Sequence, residues 1–413
     1  MVKNMFLVSL RRRWLVLALL FGLAIWFGYQ LLSVTWDPVF ARRWVIVAAV
    51  VLAYELSHLW RGLKDNHRRG ESTLLPALGA GNVLTMLRGL ALGLLAGFLL
   101  APWPTGGLAW LPALLYTLAI VADYLDGYLA RVTHHATVLG ENLDIEFDAL
   151  GILIATSLAV SYHQLPWWYL FIALSRYLFL FGIWWRKRRG RPVYALRPST
   201  YRRFVAGLQM GFTSVMLWPI VYPPATTLAG IAFAIPFTAS FVRDWLVVSR
   251  RLDPASPTYL EASRVVSLVF ARWLPVLLRI GLVALMIWIV FHVLGNQPCE
   301  GSKPSQGWFP QIEMHLSPLP SFSGSVIAVI ALAATLMLAL GVAGRLAALA
   351  LLVAAGTNIF TSELYLYNGI VLLSAVALML LGSGAFSCWR PEDALLSRRA
   401  GNGAPATRKG PDP

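Results

Sequence analysis

The sequence predicts an all-α, polytopic integral membrane protein with about 12 transmembrane helices, grouped as two, six and four. Three observations carry that class. The chain of 413 residues is 58% hydrophobic with a mean hydropathy of +0.66, which is more apolar than a soluble domain of this length. Its apolar residues fall in serial runs long enough to cross a hydrocarbon core of about 30 Å. These runs are continuous rather than alternating. Only helices and closed barrels satisfy every backbone amide in lipid, so helices are expected.

Two spans come first, Trp14–Val34 and Trp44–Trp60. The first run lacks a small-residue cleavage site and is followed by a second span, so it reads as an anchor rather than a cleaved signal. The polar stretch Arg61–Gly81 then leads to six spans: Asn82–Leu100, Leu108–Ala130, Leu143–Ser161, Trp167–Trp185, Phe204–Val221 and Thr226–Val242. A second polar connector, Val247–Ser263, precedes the last four: Trp273–Leu294, Ser323–Val342, Leu346–Phe360 and Tyr365–Gly384. The expected division is a two-helix membrane segment (1–66), a six-helix core (67–251), a four-helix module (252–399) and a disordered tail (400–413). The Pro-rich loop Gly295–Pro320 lies inside the last block.

The net charge of +15 is unevenly placed. Arg11–Arg13, Arg61, Lys64, Arg68, Arg69, Arg131, Arg186–Arg191, Arg250, Arg251, Arg345, Arg390, Arg398 and Arg399 fall on one side of the spans. The opposite loops Ala101–Gly107 and Tyr222–Ala225 are nearly uncharged, with Arg42, Arg43 and Lys303 as exceptions. The positive-inside rule therefore puts both termini in the cytoplasm. Loop bias and anionic headgroups account for the charge, and nucleic acid is not an expected partner. On this topology Cys299 is external and Cys388 cytoplasmic, so they cannot pair with each other.

The stretch VADYLDGYLARVTHHATVLGENLDIEFDAL, Val121–Leu150, sets four aspartates at the junction of two spans. Asp123 and Asp126 are three apart, and Asp144 and Asp148 four apart, so each pair shares a helix face. The first pair ends one span on the cytoplasmic side and the second opens the next, so all four can converge at one depth. Unneutralised carboxylates are costly there, about 2.5–3.5 kcal/mol each near mid-membrane. Divalent cations remove the conflict, and carboxylate-only ligation suits Mg²⁺, Mn²⁺ or Ca²⁺ rather than zinc. His134 and His135 are adjacent on a loop, a poor spacing for two ligands to one metal. The small residues Gly127, Ala130 and Gly140 allow a phosphorylated ligand close to the backbone, although each alone also fits close helix packing.

Asp123-Tyr-Leu-Asp126-Gly127-Tyr-Leu-Ala130-Arg131, eight residues, Gly140, three residues, Asp144, three residues, Asp148 resembles the signature of the CDP-alcohol phosphatidyltransferases at every defining position. Upstream, Asn82-Val-Leu-Thr85-Met-Leu-Arg88 is similar to the opening of that family's first core helix, with Gly81 in place of the usual proline. The similarity extends over about residues 81–251. It implies attack of an alcohol hydroxyl on the phosphatidyl phosphorus of a CDP-linked lipid, with CDP-diacylglycerol as the expected donor and CMP as the leaving group. It also implies roles. Asp123, Asp126, Asp144 and Asp148 would hold two divalent ions, Mg²⁺ or Mn²⁺, and Asp148 would accept the alcohol proton. Gly127, Ala130, Arg131, Gly140, Asn82 and Thr85 would line the CDP and pyrophosphate pocket. The same likeness implies a homodimer, and the charge bias above turns the site toward the cytoplasm of an expected bacterial or archaeal cytoplasmic membrane.

Other charges need separate readings. Arg88 lies near a span end, where a site role and simple snorkelling are both open. Arg176 falls about mid-span and is expected to partner a phosphate or an acid. Glu55 reads as structural or interfacial, with a core arginine as its conceivable partner. Arg186–Arg191 is a topology signal and headgroup patch. Arg197, Arg202 and Arg203 precede or open a core helix that resembles the family's basic, substrate-facing segment. Arg203 and Gln209 align there, while Val205 occupies a place often basic. Guanidinium forks suit phosphate, which favours a phosphorylated acceptor such as glycerol 3-phosphate or inositol phosphate.

The last four helices, about 265–399, carry no metal or nucleophile constellation and are similar to DoxX-like membrane modules through Arg279, the glycines and the helix count. His292 and His315 read as structural or loop residues. Two rivals remain. A UbiA-type intramembrane prenyltransferase also uses paired aspartate motifs, but lacks a reason for Gly127, Ala130-Arg131 and the spacing to Gly140. A transporter or membrane scaffold would use the aspartates as an ion site.

Overall fold

The computed structural model describes residues 2–71, 73–133, 135–194, 196, 200–295, 321–361, 366–382 and 384–389. Among these residues it is helical, with no strand beyond an isolated bridge between Val342 and Trp389. The chain forms two compact units, residues 1–188 with 206–221, and residues 189–205 with 222–413.

The first unit opens with α1 (Val2–Thr35), which begins well before Trp14. Its early turns are anchored: Ser9 Oγ donates to Pro76 O at 3.1 Å, and Trp14 Nε1 donates to Leu56 O at 2.8 Å. Asp37 caps α2 (Pro38–Gly62) by accepting from Val39 N, and Pro38 supplies a preset first turn. α3 (Gly79–Ala96) and the short turn that follows it lie against α2 through Gly89, Gly93 and Gly97. A Cβ on these three would run into Glu55, Leu52 and Trp44 respectively. Small residues every fourth position let the two backbones approach closely, and Trp44 Nε1 donates across the seam to Leu94 O at 3.0 Å.

α4 (Leu111–Val132) and α5 (Val138–Ser161) follow. Thr137 caps α5 by accepting from Gly140 N at 3.1 Å. α6 (Leu170–Arg188) and α7 (Thr200–Met216) come next, and α7 joins this unit from Ala206 onward. There Gln209 Nε2 donates to Tyr169 Oη at 2.9 Å, and the Thr117 and Ser214 hydroxyls meet at 3.0 Å.

The second unit holds α8 (Ala225–Val248), α9 (Pro257–Ser267), α10 (Leu274–Gly295), α11 (Ser321–Leu340), α12 (Gly344–Thr361) and α13 (Leu366–Leu381). α9 is a finding against expectation, because the sequence reads Val247–Ser263 as a connector. Ser256 and Pro257 resemble a turn, yet they are also an N-cap and first-turn proline, and Ser256 Oγ accepts from Tyr259 N at 3.3 Å.

Among the described residues six helices are long and apolar enough to cross a membrane: Asn4–Thr35, Gly79–Leu100, Gly106–Val132, Trp167–Arg188, Ala225–Val248 and Pro257–Ile289. α2 and α5 fall outside that set, and both carry charges along their length. The all-helical class stands, whereas the larger number of spans does not follow from these helices alone. The tail 400–413, most of the loop Gly295–Pro320, Cys299, His134, His315 and Arg197 lie outside the described residues, as do the side chains of Arg202, Arg203 and His292.

Candidate active site

α4 and α5 each place their acidic pair on one face, and the faces meet. Carboxylate oxygens of Asp123, Asp126 and Asp144 all lie within 4.8 Å of one another. Arg88 of α3 ties Asp148 to them. Its guanidinium is buried, 3% exposed, and donates through Nη1 to Asp144 Oδ1 at 3.0 Å and to Asp123 Oδ1. Through Nη2 it donates to Asp148 Oδ1 at 3.0 Å and to the main-chain oxygen of Asp144 at 3.1 Å. Asp126 Oδ2 stands 3.8 Å from Nη1 and accepts from Thr85 Oγ1 at 2.8 Å. One guanidinium facing four carboxylates leaves the cluster acidic. The donor set is all oxygen, and three carboxylates can reach a common ion, so the residues fit a hard divalent cation.

A cavity opens beside Asp123 and Asp148, walled by Leu92, Tyr116, Ala119, Ile120, Phe147, Gly151 and Met210. Its walls are mostly apolar, with the acids at its edge. A second cluster forms where the same three helices begin or end. Asn82 Nδ2 donates to Thr137 Oγ1 at 3.1 Å. A Cβ on Gly140 would strike Asn82 Oδ1, and one on Gly81 would lie 2.9 Å from Ala130 Cβ and 3.1 Å from Asp126 O. Gly127 instead faces the Arg131 guanidinium, 3.3 Å from where its Cβ would be.

The structure thus brings together the four aspartates with Thr85, and separately Asn82 with Gly140. It does not bring in Arg176, which is half-buried on α6 with Nε lacking a hydrogen-bond partner and no ion pair to the aspartates. Two participants exceed the sequence reading. Arg88, left open there, is the residue that links all four acids. Asn66, fully buried in the loop after α2, donates to Leu75 O at 3.1 Å and Ala77 O at 2.8 Å, shaping the approach to Asn82. Arg88 had a signal, a cation in an apolar span one turn past Thr85; Asn66 had none, since its role depends on a loop folding back.

Residues 79–242 match the family model described as CDP-alcohol phosphatidyltransferase. The matched stretch contains α3, α4 and α5 with all four aspartates. It is similar to a CDP-diacylglycerol–glycerol-3-phosphate 3-phosphatidyltransferase of Cereibacter sphaeroides, 31% identical over 133 residues, covering 31% of this chain and 58% of that protein. It is also similar to a Mycobacterium bovis protein provisionally named a cardiolipin synthase, 28% identical over 150 residues, covering 34% of this chain and 69% of that protein. The chain thus spans less than two thirds of the length of the Cereibacter relative. No solved structure matches the chain.

Proposed function

We propose that the protein is a membrane phospholipid synthase that transfers a phosphatidyl group from a CDP-lipid, CDP-diacylglycerol in the first instance, to an alcohol. The observation that carries this reading is the gathering of Asp123, Asp126, Asp144 and Asp148 around one point. The family match and the names of both relatives support it.

Asp123, Asp126, Asp144 and Asp148 are the residues to hold Mg²⁺ or Mn²⁺, two ions on the family pattern. When bound, such ions supply positive charge against phosphate oxygens. The chain's own residues do the rest. Asp148, at the cavity edge, takes the proton of the acceptor hydroxyl as its oxygen bonds to phosphorus and the phosphorus–oxygen bond to CMP breaks. Asn82, Thr85, Gly127, Ala130, Arg131 and Gly140 form the CDP pocket, with the glycines admitting the ligand against backbone. Arg197, Arg202 and Arg203 are proposed to read a phosphate on the acceptor, glycerol 3-phosphate or inositol phosphate being suited to them, and Arg176 is the weaker member of that set. A homodimer, cytoplasmic termini, a cytoplasm-facing site in a bacterial or archaeal inner membrane, and a DoxX-like accessory role for the last four helices complete the proposal.

Purified protein incubated with labelled CDP-diacylglycerol, Mn²⁺ and a panel of alcohols is expected to release CMP and form one new lipid. Pyrophosphate release from a prenyl diphosphate would favour the prenyltransferase. Cation flux in proteoliposomes without any turnover of CDP-lipid would favour a transporter.

A further inference from the structure

Glu55 is a buried acid that the chemistry above does not use. It lies on α2, ahead of the family-matched residues 79–242. It is 0% exposed, and neither carboxylate oxygen has a hydrogen-bond partner. An unpartnered carboxylate inside a bundle is costly, so its retention needs a reason. Its placement is built: the glycine seam holds α2 to α3, and a Cβ on Gly89 would lie 2.8 Å from Glu55 Oε2. Gly89 follows Arg88 directly, and Arg88 is the charged group that acts on Glu55 electrostatically. Yet Arg88 directs its hydrogen bonds to Asp123, Asp144 and Asp148 instead.

These facts define a conflict. Arg88 occupies Oδ1 of Asp123, Asp144 and Asp148, carboxylates that divalent cations would need, so a cation entering the cluster meets a positive charge already in place. A displaced guanidinium in a low-dielectric bundle requires another acid. Glu55 is such an acid, already buried, already near, and without a partner.

We propose that Glu55 is a positioning residue that takes the Arg88 guanidinium when divalent cations enter the aspartate cluster, so that arginine and cations do not compete for the same carboxylates. The inference rests on reading the aspartates as a cation site.

The test is Mn²⁺ affinity, measured by calorimetry on the purified full chain in detergent. Glu55→Gln should weaken Mn²⁺ binding about tenfold, the scale of a hydrogen bond between charged groups. In an Arg88→Met background the same substitution should leave Mn²⁺ affinity unchanged, because the competitor is gone. A merely structural role would weaken both backgrounds alike, and that outcome overturns the proposal, as does unchanged affinity in Glu55→Gln alone. Should the variants fail to fold, an experimental structure of the wild type with Mn²⁺ decides the matter. Arg88 hydrogen-bonded to Glu55 is expected; Arg88 still on Asp123 and Asp148 beside bound Mn²⁺ overturns it. A wild type that binds no Mn²⁺ overturns the cation-site reading itself, and this inference with it, whereas binding indifferent to Glu55 overturns the inference alone.

Discussion

Among the described residues two arginines are buried, one in each unit, and the contacts seen for each differ in kind. Arg88 is 3% exposed and holds carboxylates. Arg279, on α10, is 7% exposed and holds main-chain oxygens: Nε donates to Leu338 O at 2.9 Å, Nη1 to Ala385 O at 3.3 Å and Nη2 to Ala339 O at 3.4 Å. Leu338 and Ala339 end α11, where the helix dipole favours a cation and the last carbonyls lack helical partners. These three contacts of Arg279 complete a helix terminus. Arg88 sits among more negative charge than it can neutralise. The difference teaches what a buried arginine signifies: neutral carbonyl partners make a structural staple, while surplus carboxylates make a counter-ion that another cation can replace.

The comparison breaks most sharply at Asp148. If the Arg88 cluster is chemical, Asp148→Asn should lower turnover about 10²–10⁴-fold, the usual worth of a positioned general base, while CDP-lipid binding is largely kept. Single-turnover kinetics beside a lipid-binding assay separates the two, and a near-normal rate would reject the assignment. The next effect concerns the acceptor. Arg203→Ala should raise the half-saturating acceptor concentration about tenfold, on the scale of a charge-assisted bond to phosphate. Initial rates against acceptor and CDP-lipid in turn would show it, and an unchanged acceptor response counts against a phosphate pocket there. Smaller still is Gly140→Ala, whose Cβ would strike Asn82 Oδ1. Overpacking of this sort costs about 1–3 kcal/mol, so the CDP-lipid requirement should rise several-fold with the acceptor requirement unmoved.

Much of this site was legible in the sequence because its chemistry constrains spacing. Carboxylates three and four apart must share a helix face; Asp123, Asp126 and Asp144 do meet, and Arg88 ties Asp148 to them. Apolar runs gave the helices for a similar reason, since one periodic property fixes one element. What the sequence did not disclose depends on tertiary placement. The role of Arg88 needed three helices in register before its partners could be named. Gly89, Gly93 and Gly97 stand in plain sequence every fourth residue, but their partner surface on α2 appears only when Glu55, Leu52 and Trp44 are seen against them. α9 was hidden because serine followed by proline fits a turn and a helix start equally well.

The mildest effect on activity is expected at Arg279, and it sharpens the comparison from the other side. Arg279→Met keeps an apolar stem of similar reach but leaves the oxygens of Leu338, Ala339 and Ala385 without this donor. Buried polar groups stripped of a partner cost about 1–3 kcal/mol each at most, with loss tempered where another donor or water arrives. The variant should therefore unfold at a lower temperature, while turnover per folded molecule and Mn²⁺ affinity match the wild type. Thermal unfolding in detergent, followed by activity normalised to folded protein, measures both quantities on one sample. A fall in normalised turnover comparable to that of Asp148→Asn would mean that the second arginine serves the chemistry too, and the division between staple and exchangeable counter-ion would fail.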